Sequence, residues 1–338
     1  MDIEHEPDLL AYLWRKQLIA PGAKVATRVL RGGVSNRAVL VEHQHGAWVL
    51  KQALEKLRVE ADWFSSPERI HREAAGIRWL GRFTPAGSIT PLIFEDHEDH
   101  ILGMEAVQDA AETWKPVLLR GEVFPSRVRQ VATLLACIHR EGTNRPDIEA
   151  EFADRSFFLS LRIEPYYLYS AAQVPETAAF IESLVRDTDE RRLTLVHGDY
   201  SPKNILICPD RVVLLDHEVI HFGDPAFDLG FMMAHLLSKA HHLFEQRAAL
   251  VEAARLFWVV YQKELGLVSF AAELEAFTVR HTLACLLARV AGRSPLEYLS
   301  DSERARQLSA ILGLLDEPPP RIELLIGAFV REISLARY

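Results

Sequence analysis

The hydrophobic rhythm of the chain changes once, and that change limits what it can fold into. From residue 24 to 52, apolar and β-branched residues alternate with polar ones in runs broken at Arg31-Gly32-Gly33 and His45-Gly46. A two-residue period of this kind predicts three strands joined by hairpins. Ser66-Pro67-Glu68 then supplies a cap, a first-turn proline and an early acid, with Ile70, Ala74, Ile77 and Leu80 at helical spacing behind it. These features predict a helix of about four turns ending near Gly81. Two more strand-like runs, Ile89 to Phe94 and His100 to Val107, flank the polar turn Asp96-His97-Glu98-Asp99. From Val128 the period becomes helical: Val128, Val131, Leu134, Leu135 and Ile138 share one face leading to His139. Further helices are expected near 176–187, 228–243, 247–265, 271–290 and 302–314, with a last one after Pro318-Pro319-Pro320. Between them lies a β-rich island, Leu195 to His197, Ile205 to Ile207 and Val212 to Leu215. The fold class is therefore α+β: a small antiparallel sheet with one helix, preceded by a short amphipathic stretch (Leu9, Leu10, Leu13, Leu18), then a larger, mainly helical part. We expect two domains, 1–107 and 108–338.

Composition narrows the partners. The 338 residues include 38 basic and 47 acidic side chains, a formal net charge of −9, and lack a dense Lys/Arg run. That charge balance argues against a nucleic-acid partner and leans towards cationic small molecules. The longest apolar runs, such as Leu256 to Tyr261, fall far short of the ~20 residues that span a bilayer, and the acidic start Met1-Asp2-Ile3-Glu4-His5-Glu6 lacks a signal peptide's positive charge. No membrane partner is expected. Cys137, Cys208 and Cys285 are odd in number, widely spaced and set among apolar neighbours, as reduced core thiols of a cytoplasmic protein are. A monomer or homodimer is expected.

Polar groups crowd where the island's strands end. His197-Gly198-Asp199-Tyr200-Ser201-Pro202-Lys203-Asn204 is followed by Asp216-His217-Glu218. Pro202 keeps the first loop from becoming helix, so Asp199 and Asn204 can face one cavity and Asp216 can meet them there. Two carboxylates and a carboxamide are hard oxygen donors that suit Mg²⁺ holding phosphate oxygens. In the N-terminal half, Lys51 ends the apolar run Trp48-Val49-Leu50, a costly placement unless its ammonium has anionic partners.

His197-x-Asp199-x-x-x-x-Asn204 followed by Asp216 resembles the catalytic and metal-binding loops of the protein-kinase-like superfamily. His-Gly-Asp with Asp-x-Glu is similar to its small-molecule branch, the aminoglycoside phosphotransferase and choline kinase family. The resemblance runs from about residue 24 to 300 and implies a two-lobed kinase-like fold using ATP and Mg²⁺. It assigns Asp199 to the acceptor hydroxyl and Asn204 and Asp216 to the metal. It assigns Lys51 to the α and β phosphates, with Glu73 behind it and Glu68 as the alternative. The Gly turn Arg31 to Asn36, including Gly33, Ser35 and Asn36, falls on the phosphates, and Glu105, Ala106 and Val107 on the adenine. Asp228 in Phe227-Asp228-Leu229-Gly230 falls at a helix start, steadying the catalytic loop. That string and the helix around Glu73 also resemble methylthioribose kinases, although Asn204 stands where those enzymes usually carry Ser and Arg289 stands alone where they tend to have two arginines. Gly198 in place of Arg, and the lack of Asp-Phe-Gly and Ala-Pro-Glu, argue against a protein substrate. The implied acceptor is a hydroxyl of a small molecule: an aminoglycoside, amino alcohol, methylthio-sugar or amino-acid alcohol.

Other readings compete. A kinase fold that binds nucleotide without catalysis is one. A zinc hydrolase is another, because His217-Glu218-Val219-Ile220-His221 matches the zincin pentad; yet its β-branched residues and the nearby Gly223 and Pro225 argue against the long helix that such a site needs. His197 and His139 read as structural, Lys203 as a phosphate contact or a solvated loop lysine. Arg289 and Arg293 read as acceptor-pocket residues or helix-end charges, and Phe157, Phe158, Tyr166, Tyr167 and Tyr169 as packing.

Overall fold

The computed structural model describes residues 1–30, 33–59, 62–107 and 110–335; Arg31 and Gly32 of the expected phosphate turn lie outside them. The N-terminal part holds helix α1 (Glu6–Arg15), strands β1 (Val25–Val29), β2 (Asn36–His43) and β3 (Gly46–Ala53), helix α2 (Arg69–Phe83), and strands β4 (Leu92–Asp96) and β5 (Ile101–Glu105). The strands form an antiparallel sheet in the order β1-β2-β3-β5-β4. Alternation gives it two apolar faces. Val39, Val41, Leu50 and Ile101 pack with Leu9, Tyr12 and Leu13 of α1, whereas Ala53, Leu102 and Met104 pack with Ile70, Ala74, Ile77 and Leu80 of α2 and continue into the main core. At ten residues α1 is too short to persist alone; burying Leu9 and Leu13 stabilises it by about 1.5–3 kcal/mol each. The sequence marks this stretch as amphipathic without naming a helix.

The larger part contains α3 (Trp114–Leu119), α4 (Pro125–Gly142), α5 (Pro146–Phe152), α6 (Ser156–Phe158), a π-helical stretch (Leu159–Leu168), α7 (Tyr169–Gln173) and α8 (Ala178–Glu190). It continues with α9 (Ala226–His242), α10 (Arg247–Leu265), α11 (Ala271–Ala291), α12 (Asp301–Leu315) and α13 (Ile322–Leu335). Short strands interrupt it: β6 (Glu112–Thr113), β7 (Thr194–Val196), β8 (Ile205–Ile207), β9 (Val212–Leu214) and β10 (His221–Gly223). β7 pairs with β10, and β8 lies between β6 and β9. The architecture is the α+β, two-lobed one that the change of period predicts. The expected helices extend by a few residues at most, while α3, α5 and the stretch around Leu159–Leu168 are additions with no clear apolar period of their own. Every residue of α9 from Ala226 to His241 is buried, as befits a helix enclosed by α10, α11 and α12. Cys137, Cys208 and Cys285 are buried and form no disulfide.

Candidate active site

The loop after β7 is fixed from behind. Asp228, in the first turn of α9, accepts the backbone N–H groups of His197 at 2.7 Å and Gly198 at 2.8 Å. Its carboxylate also meets His139 Nε2 at 3.3 Å, and His139 Nδ1 lies 2.8 Å from the Tyr261 hydroxyl. His197 Nδ1 accepts the Asp199 N–H at 3.2 Å, and burial draws its pKa below the ordinary imidazole value. His197 is thus a neutral support for the loop. Gly198 has φ +78°, and a Cβ there would stand 2.8 Å from the Val219 carbonyl oxygen, so a side chain meets both strain and a clash. This is the physical reason for glycine at position 198. Asn204 Nδ2 donates to Asp199 Oδ2 at 2.6 Å and to its carbonyl at 3.0 Å. The Leu215 N–H donates to the Asn204 carbonyl at 2.8 Å, which brings the end of β9, and Asp216 after it, to the same place.

Lys51 reaches this place from the sheet. Its position opposite Leu102 puts it on the α2 face, with Nζ 2.8 Å from both Glu73 carboxylate oxygens and 2.6 Å from Asp216 Oδ1. Burial opposes the Lys51 charge, but Asp216 and Glu73 outweigh it and hold the pKa above the ordinary lysine value. Burial likewise pushes Glu73 up, to about 7, against the pull of Lys51. Asp216 is held well below the usual carboxylate range, because Lys51 and Lys203 overcome its desolvation. Glu68, the alternative partner, is exposed and lies 3.6 Å from His100 Nδ1.

The structure spreads the remaining expected positions along the lobe boundary. Asn36, at the start of β2, is buried and donates through Nδ2 to Glu218 Oε2 at 3.0 Å and Ser35 Oγ at 3.2 Å. Ser35 is buried with its carbonyl accepting from Arg69, and Gly33 is exposed. Glu105 ends β5, where its N–H donates to the Pro91 carbonyl at 2.9 Å; the Ala106 N–H donates to Ala47 at 2.9 Å, and half-buried Val107 follows. Arg293 reaches the Asp62 carbonyl at 3.2 Å and lies over Tyr169. Phe158, Tyr166 and Tyr167 are buried, as packing residues are.

Two buried arginines had no sequence expectation attached. Arg162, in the π-helical stretch, places a guanidinium nitrogen 3.0 Å from Asp199 Oδ2 and donates through Nε to the Gly198 carbonyl at 2.8 Å. Lys203 adds a contact to Asp199 Oδ2 at 3.1 Å. Together they overcome burial and hold the Asp199 carboxyl below its ordinary range. Arg69 lies 3.1 Å from Glu218 Oε2 and donates to the Ser65 and Leu54 carbonyls at 2.9 and 2.7 Å. For Arg162 the signal is a cation between apolar residues, Leu161-Arg162-Ile163, whereas Arg69, set between Glu68 and Ile70, carries no such local mark.

Asp199 Oδ1 is buried and has no hydrogen-bond partner among the described residues. With Asp216 and Asn204 beside it, the set offers hard oxygen donors to a divalent cation and an acceptor for a hydroxyl proton. The residues therefore fit a magnesium ion. The zincin pentad does not form: Glu218 and Val219 lie in a turn and His221 begins β10. His221 bonds to the Val219 carbonyl at 2.9 Å and stacks on Phe158. A cavity of about 460 Å³ is bordered by Glu55, Phe64, Ser66 and Phe157 and by none of the site side chains, so it is the chemistry that locates the site.

Residues 26–257 match the sequence profile of the phosphotransferase enzyme family. The chain belongs to that family. It is a member of the protein-kinase-like superfamily that includes aminoglycoside phosphotransferases and choline kinases, with distant similarity to methylthioribose kinases. Methylthioribose kinase 2 of Oryza sativa subsp. japonica is 22% identical over 265 residues, a match that covers 69% of this chain and 62% of that protein. Among solved structures, choline kinase of Cryptosporidium parvum shares the fold with TM-score 0.53 and 13% identity, covering 98% of this chain and 96% of that one. A spectinomycin phosphotransferase solved with ADP and spectinomycin gives TM-score 0.53 at 12% identity, covering 96% and 98%.

Proposed function

We propose that the chain transfers the γ-phosphoryl group of ATP to a hydroxyl of a small molecule. The observation that carries this reading is the bridge from Lys51 to both Glu73 and Asp216, which sets a sheet ammonium against the loop bearing Asp199 and Asn204. Lys51 braces the α and β phosphates, and Glu73 keeps its ammonium in place. Gly33, Ser35 and Asn36 border the phosphates, and Glu105 to Val107 the adenine. Asp216 and Asn204 would hold Mg²⁺, which when bound neutralises charge on the phosphate oxygens. Asp199 orients the acceptor hydroxyl and takes its proton. The acceptor oxygen forms a bond to Pγ as the bond from Pγ to the bridging oxygen breaks, and ADP departs with that electron pair. Positioning and charge neutralisation supply most of the rate.

The two lobes divide near residue 107. No described helix is long and apolar enough to cross a membrane. Three buried cysteines outside any disulfide suit a cytoplasmic protein, which we take as a monomer or homodimer. Aminoglycosides, amino alcohols, methylthio-sugars and amino-acid alcohols are the starting acceptor panel. The test is ADP release across that panel with wild type, Asp199→Asn and Asp216→Ala, together with thermal shift by MgATP. Asp199→Asn is expected to fold and bind MgATP but lose turnover by orders of magnitude, and Asp216→Ala to lose the MgATP shift as well. Unchanged turnover in either variant rejects the assignment.

A further inference from the structure

Beside Asp199 the charge of the molecule reverses sign. The chain carries a formal −9 overall, yet the side chains leading from Asp199 into the helical lobe are cationic. Arg162 and Lys203 are compensated by Asp199 itself, at 3.0 and 3.1 Å. Among the described residues, Arg289 on α11 and Lys239 on α9 have no such partner. Buried Arg289 donates to neutral acceptors, the Tyr166 hydroxyl at 3.1 Å and the Ser294 carbonyl at 3.0 Å, and meets His235 Nε2 at 3.1 Å. Its Nε has no hydrogen-bond partner among the described residues. Lys239 is wholly buried, with Nζ 3.4 Å from the His235 carbonyl and 5.3 Å from the Tyr298 ring centre. Glu297, the carboxylate that acts on Lys239 among the described residues, is already bonded to Lys115. Burial, reinforced by Lys115 and Arg289, draws the Lys239 pKa down to about 7, the response of a cation lacking a counter-charge.

This surplus adjoins the reaction centre. Arg162 and Arg289 lie over the same two rings: Tyr166 at 5.6 and 4.7 Å, and Phe231 at 5.9 and 4.7 Å. Tyr166 stands within electrostatic reach of Arg289, Arg162, Asp199 and Lys203 together. Half-exposed Lys203 marks the open end of this row. Neutral side chains would fill the same volume at lower cost, because an uncompensated buried charge is destabilising. A ligand anion removes that penalty.

We propose that the phosphate acceptor is itself a small hydroxylated anion, its carboxylate or phosphate held by Arg289 with Lys239 behind, and its hydroxyl facing Asp199. The inference rests on the phosphotransferase reading and names the substrate class for it. It inverts the preference for cations that the overall acidity suggests, since an acceptor ammonium here would face Arg289 and Lys239.

Two arms test it. In the first, hydroxy acids, sugar acids and hydroxylated monophosphates are compared with amino alcohols, aminoglycosides and uncharged sugars for MgATP-dependent phosphorylation read by mass. Anionic acceptors are expected to lead, and the carboxylate and phosphate sets tell the two anion sources apart; faster turnover of cationic or neutral acceptors overturns the proposal and leaves the kinase reading intact. In the second, sodium malonate and inorganic sulfate are added at fixed ionic strength to the MgADP-loaded protein, and the thermal shift is followed. Wild type should be stabilised, and the response should fall in Lys239→Met and Arg289→Lys; no wild-type response, or an equal one in the variants, overturns the proposal. With an anionic acceptor in hand, Lys239→Met should raise KM roughly 10- to 100-fold with a much smaller change in kcat, as for loss of one charged contact. Loss of the MgATP shift in wild type would instead mark failure of the kinase reading.

Discussion

Arg69 Nε lies 3.1 Å from Glu218 Oε2, and both side chains are buried where the two lobes meet. Because Asn36 Nδ2 donates to the same oxygen at 3.0 Å, one carboxylate atom joins β2, α2 and the turn that follows Asp216. Removing a single partner strands a buried charge. Arg69→Met is expected to cost about 3–5 kcal/mol, measured by urea unfolding, and the double variant Arg69→Met, Glu218→Met should recover much of that loss. Simple addition of the two single losses would show that the pair is not coupled.

Asp216 gives the acid limb of stability a defined origin. Its pKa lies below the ordinary value of 3.8 in the folded protein, with Lys51 the leading stabilising charge. The unfolded chain therefore takes up the proton first on acidification. The contribution is complete above the ordinary value and is withdrawn as pH falls through the folded one. Melting temperature followed from pH 6 downward should decline less steeply in Asp216→Asn than in wild type; parallel curves would contradict this origin.

Gly198→Ala forces a side chain to φ +78° and to within 2.8 Å of the Val219 carbonyl oxygen. The conformational cost alone is about 1–2 kcal/mol. The variant should melt lower than wild type and lose turnover in excess of the stability change, since the residue that shifts is the neighbour of Asp199. A wild-type melting curve would show that the loop relaxes freely.

Lys239→Met should be more stable than wild type. The ammonium has a folded-state pKa drawn down to about 7 from 10.5, so the penalty of burying it is full below the lower value and vanishes above the higher one. Replacing buried charge with apolar volume gains of order 1–4 kcal/mol in comparable cases. Chemical unfolding at several pH values should find the gain largest below pH 7 and shrinking as pH climbs. A destabilised variant at neutral pH would mean that Lys239 is a structural partner.

What could be read from the letters follows a physical division. Lys51, Asp199, Asn204 and Asp216 stand out because each is a polar residue at the end of an apolar run, and such placements have local signatures. Glu73 shares its helix with Glu68, and it is the family resemblance that singles it out. The bond from the Asn36 amide to Glu218 joins residues 182 positions apart, and no spacing rule reaches it. Arg69 and Arg162 were overlooked for the same reason. Lys239 carried the signal that singled out Lys51, a lysine in an apolar stretch, but within a helical period it passes for a surface position until α10, α11 and α12 close around it. The helices α3 and α5 were missed because segments of six and seven residues take their stability from packing, which period alone does not report.

The line of contacts from Tyr261 through His139 to Asp228, and from there to the amides of His197 and Gly198, carries a consequence for genetics. A variant library scored by phosphotransfer activity would flag Tyr261, a side chain sunk in the helical core, alongside Asp199. The stillness of the Asp199 carboxylate is anchored in the interior of the bundle, and damage there would pass for damage to the chemistry proposed for it.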